Sequence, residues 1–384
     1  MDLAGKRGIC VVLNGSEVCC NCFQIWDCTT HFCPYCGYNP STRDKKYPFS
    51  LPEGSVLAGR YLVGSVLGQG GFGITYAALD VKRHVKVAIK EFFPDNLVQR
   101  IGDRHTVAGR TSGLQQDFSY GKSQFLTEAK ILAELNWHPN IVNVKSYFEE
   151  NGTAYFVMQF LAGVSLQQYV RNQGGVIPWR MAEDILAPVM GALHVAHQIG
   201  IIHRDVTPDN IIITTAGEIK LLDFGAARFS LGDHSRSFDV ILKVGYAPVE
   251  QYARHGRQGP YTDVYSVAAT LYAVTTGYLP PEAIAREENV PLMMPSQYGA
   301  QISATEEKAL QKALSIQAKD RFQTMEAFGK AILPRNEWHY FDLKKPGPSE
   351  PSSKAQQPVQ QPLEKERKPK RKKSFWDWFI KKGG

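Results

Sequence analysis

The sequence predicts an α+β chain of two lobes, a small β-rich one and then a larger helical one, behind a small four-cysteine module. Two observations carry this. Strand-like patterns cluster before residue 161 and helix-like patterns follow it. All seven cysteines fall between Cys10 and Cys36, with none beyond.

The elements follow in order. Residues 1–50 hold the cysteines and end in a Pro/Tyr/Lys-rich coil. Residues 55–160 form the small lobe, where 61–67, 74–79 and 85–90 read as short strands around a Gly-rich turn. Residues 123–135 read as a helix, with Phe125, Ile131, Leu132 and Leu135 at near-helical spacing. Residues 143–149 and 154–160 read as two strands joined at Glu150-Asn151-Gly152. Residues 161–334 form the larger lobe, with helices at 165–172, 181–199, 262–277, 304–314 and 324–332 and a short apolar strand at 211–214. The stretch 335–362 turns Pro/Gln/Ser-rich and reads as a linker that cannot bury enough apolar surface to fold. A polybasic, then aromatic, tail fills 363–384.

A length of 384 residues allows two or three domains, and 43% hydrophobic with 21% charged residues suits a globular chain with a sizeable core. The net charge of +7 resides entirely beyond residue 334, so it says nothing about what the main domain acts on. The N-terminus has too short an apolar run for a secretory leader, and no stretch reaches the length that spans a bilayer. Cysteines confined to one short segment favour local metal binding in the cytoplasm over a secreted disulfide framework.

Leu67-Gly68-Gln69-Gly70-Gly71-Phe72-Gly73-Ile74-Thr75 is a Gly-rich loop between two strands. Glycines let backbone amides approach phosphates closely. A strand rather than a helix follows, which disfavours a dinucleotide fingerprint and leaves a flexible hairpin as the plain alternative. Val87-Ala88-Ile89-Lys90 ends the third strand with a cation. Such a lysine is commonly a snorkelling surface residue; aimed at phosphates, it needs a carboxylate, and Glu128 on the following helix is the candidate. His203-Arg204-Asp205-Val206-Thr207-Pro208-Asp209-Asn210 is a tight loop offering a carboxylate and an amide oxygen. Leu222-Asp223-Phe224-Gly225 puts a further carboxylate at a strand end, a plausible Mg²⁺ ligand. Either loop alone could be a turn or helix cap.

The ordered set of Gly loop, strand Lys, helix Glu, His-Arg-Asp loop, Asp-Phe-Gly and Ala247-Pro248-Val249-Glu250 resembles the eukaryotic-like protein kinase family over about 55–334. Lys90-Glu91-Phe92-Phe93-Pro94 and Gly245-Tyr246-Ala247-Pro248 look most like bacterial Ser/Thr members. The resemblance implies a bilobal kinase fold, ATP with Mg²⁺ (or Mn²⁺), and Ser/Thr hydroxyls of proteins, itself included, as acceptors. It implies that amides at 68–73 cover the phosphates and that Lys90 pairs with them and with Glu128. Asp205 would orient the hydroxyl and accept its proton, while Asn210 and Asp223 hold the metal. Val66, Ala88 and Ile212 would sandwich the adenine, with Met158 behind it and 159–161 as hinge. Glu250 would clamp Arg321.

Two residues depart from the family pattern. Thr207 stands two residues after Asp205, where the family carries Lys, and Lys243 stands where the activation segment carries Thr. The two residue types look exchanged, so Lys243 is expected to supply the missing charge. Thr207 also leaves a Tyr acceptor open. The connection 94–120 is long and polar, with no assignable role. Ser230, Ser235 and Ser237 are candidate phosphorylation sites whose phosphate could pair with Arg204.

Cys19-x-x-Cys22 and Cys33-Pro34-Tyr35-Cys36-Gly37 have the spacing of a zinc-ribbon-like site, which four thiolates close without an open position. Cys10, Cys20, Cys28 and His31 remain over. The tail combines basic residues, which attract anionic lipid, with aromatics that favour the membrane interface. A partner protein or a solvated tail are the alternatives, and nucleic acid is the weakest. Two other functions compete with an active protein kinase. A pseudokinase scaffold is opposed by the intact Lys90, Glu128, Asp205, Asn210 and Asp223. A small-molecule phosphotransferase is opposed by the 247–250 motif and Arg321.

Overall fold

The computed structural model describes residues 11–13, 16–26, 32–39, 47–224, 243–253 and 256–344. A small hairpin, β1 (Val11–Leu13) and β2 (Ser16–Val18), opens the described chain. The small lobe is built on a six-stranded antiparallel sheet. The sheet comprises β3 (Val56–Leu57), β4 (Tyr61–Gly70), β5 (Gly73–Asp80), β6 (Val85–Phe92), then β9 (Val144–Glu150) and β10 (Thr153–Gln159), in the order β3-β4-β5-β6-β10-β9. Ala77, Ala88 and Met158 fall in register across β5, β6 and β10.

Between β6 and β9 the chain departs from the sequence expectation. The 94–120 connection is not a loop: β7 (Val98–Arg100) and β8 (Val107–Gly109) pair as a hairpin, and α1 spans Ser112–Glu134, eleven residues earlier than predicted. The Thr111 hydroxyl caps α1 by accepting from Leu114 N, and Phe118, Gly121, Phe125, Ala129 and Leu132 line its buried face at helical spacing.

The hairpin is anchored by one buried ion pair. Glu91 is fully buried, and its carboxylate accepts from Arg100 at 2.5 Å, Tyr76 Oη at 2.7 Å and Tyr155 Oη at 2.9 Å. Burial, and after it the Glu91 charge, raise the pKa of both phenols and keep them donors. Arg100 also donates from Nε to Phe49 O at 2.6 Å and from Nη1 to His105 O at 2.9 Å, and lies over the Phe93 ring.

The large lobe follows, with β11 (Gly163–Ser165), β12 (Ile211–Thr214) and β13 (Ile219–Leu221) as a small sheet at its top. Its helices are α2 (Leu166–Asn172), α3 (Trp179–Gln198), α4 (Pro260–Thr276), α5 (Ala283–Glu287), α6 (Ala304–Ala313) and α7 (Met325–Ile332). α3 and α4 are apolar nearly all round and form the centre of the core. α4 starts on Pro260 and ends at Gly277 in the left-handed region, the residues that suit those two ends. Residues 335–341, read from the sequence as linker, coil into a 3-10 helix whose Phe341 is buried in this core, with Trp338 and Tyr340 packed against it. Apolar side chains spaced along that segment outweigh the flanking Pro/Gln composition. The linker from 345 to 362, the tail at 363–384, Cys10, Cys28, His31, Gly225, Ser230, Ser235 and Ser237 lie outside the described residues.

Candidate active site and cysteine cluster

β4 and β5 turn back on each other at Gly70 and Gly73, leaving Gly71 and Phe72 at the tip. A Cβ on Gly73 would lie 2.3 Å from Glu91 O, so close packing on β6 requires glycine there. Gly68 and Gly70 face open space instead, so packing does not explain them, whereas a ligand approaching the backbone would. Leu67 is exposed at the edge of this hairpin and Val66 packs on the small-lobe core. Ala88 and Met158 face each other in register across β6 and β10, and half-buried Ile212 lies on β12.

Lys90 is placed on β6 between Thr75 and Phe156. Its ammonium reaches across the lobes to Asp223 Oδ1 at 2.7 Å. Burial works against this cation, but the charges of Asp223 and Glu128 outweigh it and hold its pKa above the ordinary lysine value. Asp223 has φ +46, an unusual conformation for a non-glycine residue at the end of its strand.

The 203–210 loop is held from below. Asp263, fully buried in the first turn of α4, accepts from His203 N at 2.8 Å and Arg204 N at 2.7 Å, and meets His197 Nε2 at 2.7 Å. Burial opposes the Asp263 charge, yet His197 and these donors keep its pKa below the usual carboxylate value. His203 Nε2 meets Leu222 O at 2.7 Å, tying this loop to the strand end that carries Asp223. Sequence reasoning missed Asp263, since an Asp in a first helical turn reads as an ordinary helix-end charge. Its one signal was an acidic residue inside an otherwise apolar run.

At the top of the loop, Asn210 Nδ2 donates to Asp205 O at 2.8 Å and Asp205 Oδ2 at 3.0 Å. That leaves the Asn210 amide oxygen to act as a ligand. Lys243 Nζ donates to Thr207 Oγ1 at 2.8 Å and stands 3.9 Å from Asp205 Oδ2 and 3.7 Å from Asp209 Oδ2. Farther down, Arg321 grips Glu250 with two hydrogen bonds of 2.7 and 3.0 Å, and Thr262 donates to the same carboxylate at 3.0 Å. Carboxylate and amide oxygens at Asp223 and Asn210 are the hard donors that Mg²⁺ takes.

A protein kinase domain family model matches residues 61–333. The chain belongs to the protein kinase family. Its kinase domain is 35% identical over 285 residues to serine/threonine-protein kinase PknB of Mycolicibacterium smegmatis, covering 70% of this chain and 41% of that one. Against PknB of Mycobacterium tuberculosis it is 34% identical over 287 residues, covering 70% and 42%. The chain thus spans about two fifths of the length of these relatives. The solved structure of PpkA-294 in its apo form superposes with a TM-score of 0.65 at 33% identity, covering 74% of this chain and 99% of that one.

The second cluster lies in the N-terminal module. Cys19, Cys22, Cys33 and Cys36 bring their sulfurs within 4.8 Å of one another, and the five described cysteines are all free of disulfides. Asn21 N donates to Cys19 Sγ at 3.4 Å and Asn21 Nδ2 to Cys36 Sγ at 3.6 Å. Four sulfurs with amide donors around them match the donor set of a structural zinc site. The module docks on the kinase sheet. Ser65 N donates to Cys20 O at 2.9 Å, Ser65 Oγ to Asn21 Oδ1 at 2.8 Å, and Val18 and Cys20 pack with Leu62 and Leu79. Gly64 makes this approach tolerable, because a Cβ there would fall 2.0 Å from Cys20 O. Lys86 Nζ donates to Asn21 O at 2.6 Å and lies 4.1 Å from the centre of the Phe160 ring.

Proposed function

We propose that this kinase transfers the γ-phosphoryl group of ATP to Ser or Thr hydroxyls of proteins, itself included. The observation that carries the reading is that the Lys90 ammonium of the small lobe meets Asp223 Oδ1 of the large lobe at 2.7 Å, while Asn210 holds Asp205 Oδ2 at 3.0 Å. Amides at 68–73 cover the phosphates, Lys90 holds the α- and β-phosphates, and Glu128 steadies Lys90. Ala88, Ile212, Met158 and the neighbouring Leu67, Gln69, Phe72 and Thr75 shape the nucleotide site, whereas Ile74, expected there from the sequence, is fully buried in the small-lobe core beside Glu91, on the face opposite Lys90. Asp223 and the Asn210 oxygen would hold Mg²⁺ (or Mn²⁺), which when bound offsets phosphate charge. Asp205 orients the acceptor hydroxyl and takes its proton as the new oxygen–phosphorus bond forms and the bond to the β-phosphate oxygen breaks, releasing ADP. The test is incubation of the full chain and a mixed protein substrate with Mg-ATP, followed by phosphoamino-acid analysis. Phosphoserine and phosphothreonine, lost in Asp205→Asn, are expected. Absence of transfer, or phosphotyrosine alone, refutes the reading.

The four-cysteine group is proposed to hold one structural Zn²⁺. For residues 363–384, basic and aromatic composition supports peripheral attachment of a cytoplasmic chain to an anionic membrane, with a partner protein as the other reading. Co-sedimentation with phosphatidylserine vesicles, lost on removing 363–384, is the expected result.

A further inference from the structure

We propose that the cation serving the transferred phosphoryl group enters from the activation segment as Lys243, with Thr207 of the catalytic loop as its docking partner. This rests on the phosphotransfer reading above and goes beyond it.

Two residues after Asp205 the loop carries a buried threonine, Thr207, in place of a cation. Thr207 is held fast, with its carbonyl accepting from Asn210 N at 3.0 Å and its backbone extended at the start of the 3-10 turn Pro208–Asn210. Its hydroxyl is therefore a fixed acceptor, and Lys243 Nζ donates to it at 2.8 Å. The Lys243 side chain is 36% exposed, yet its ammonium is localised by Thr207 and by the carboxylates of Asp205 and Asp209. Its backbone is fixed as well. Lys243 O accepts from Tyr246 N at 3.0 Å and Ala247 N at 3.2 Å, and Ser266 Oγ of α4 donates to Tyr246 O at 3.0 Å. The ammonium thus projects from a braced turn to a point 3.9 Å from the proposed proton acceptor.

A hydroxyl poised on Asp205 would react next to this ammonium. In the step, the acceptor oxygen bonds to phosphorus, the bridging bond to ADP breaks and the hydroxyl proton goes to Asp205. Lys243 neither gains nor loses a proton; it offsets charge on the equatorial oxygens, where preorganised charge acts most strongly. The catalytic cation is thereby tied to the placement of the activation segment, whereas a lysine at 207 would be present whatever that segment does.

The test compares wild type, Lys243→Met, Lys243→Thr and the double variant Thr207→Lys with Lys243→Thr, as full chains, for kcat, KM for ATP and melting temperature. Lys243→Met is expected to lower kcat by about 10²–10³-fold, with KM for ATP changed by less than about threefold and melting unchanged. The double variant is expected to recover to within about tenfold of wild type. A Lys243→Met enzyme within about twofold of wild type, or a double variant no better than Lys243→Thr, overturns the proposal while leaving the kinase reading intact. A wild-type chain that transfers no phosphate overturns both.

Discussion

Replacing Arg100 by Met strips a fully buried carboxylate of its counter-ion. Glu91 would keep the two phenol donors at 2.7 and 2.9 Å but lose the 2.5 Å guanidinium contact. Breaking a buried pair from one side costs about 3–5 kcal/mol, because the remaining charge stays desolvated. The same change removes donors to Phe49 O and His105 O, each worth about 1 kcal/mol, although those carbonyls can turn to water. A loss of about 4 kcal/mol is expected. With about 2.1 cal/mol/K of unfolding entropy per residue, a folded unit of roughly 300 residues loses about 6 °C. Differential scanning calorimetry on the full chain reads the shift. Adding Glu91→Gln to Arg100→Met removes the stranded charge and should return more than half of the loss. A drop below about 2 °C for Arg100→Met, or a double variant melting no higher than the single, refutes the assignment of this ion pair as the anchor of the hairpin.

Arg321→Ala leaves Glu250 buried with only the Thr262 hydroxyl among the partners described, and should destabilise the large lobe by about 3–5 kcal/mol in urea unfolding. Burial pushes the Glu183 carboxyl from 4.5 up to about 7, the like charge of Glu306 adding to this despite Arg180. Between those values the folded chain holds a proton that the unfolded chain has released, so stability should decline as pH rises from about 4.5 to 7; Glu183→Gln should flatten that slope in melts across the window. Metal analysis of the purified chain should find about one zinc per molecule, lost in Cys33→Ser. A wild-type chain isolated without zinc, or a Cys33→Ser chain that retains it, counts against the site.

Strands around the Gly loop were legible because short alternating runs flank obvious turns, and the Thr207–Lys243 contact was legible because two residue types stand in each other's expected places. The hairpin and the first half of α1 were not. Gly113, Gly121 and several serines weaken helix propensity across 112–123, and only the tertiary stripe from Leu114 through Phe118 to Phe125 overrides it. Arg100 looked like one of several solvated charges in a polar insertion, since nothing local announces that Glu91, nine residues back and within a strand, needs it. The packing of 335–341 was hidden in the same way, by a composition averaged over a linker that begins only afterwards.

Sequence comparison draws a border at residue 61, but contact surfaces draw another. Trimming the chain to that border would bare Leu62 and Leu79, leave Ser65 facing water and release Lys86 from Asn21 O, its ammonium then resting on Phe160 alone. A fragment cut there would carry an exposed apolar patch on its outer sheet. The contacts thus run from Val18 onward into the sheet, and the cysteine module is better regarded as the outermost layer of the kinase domain than as a passenger.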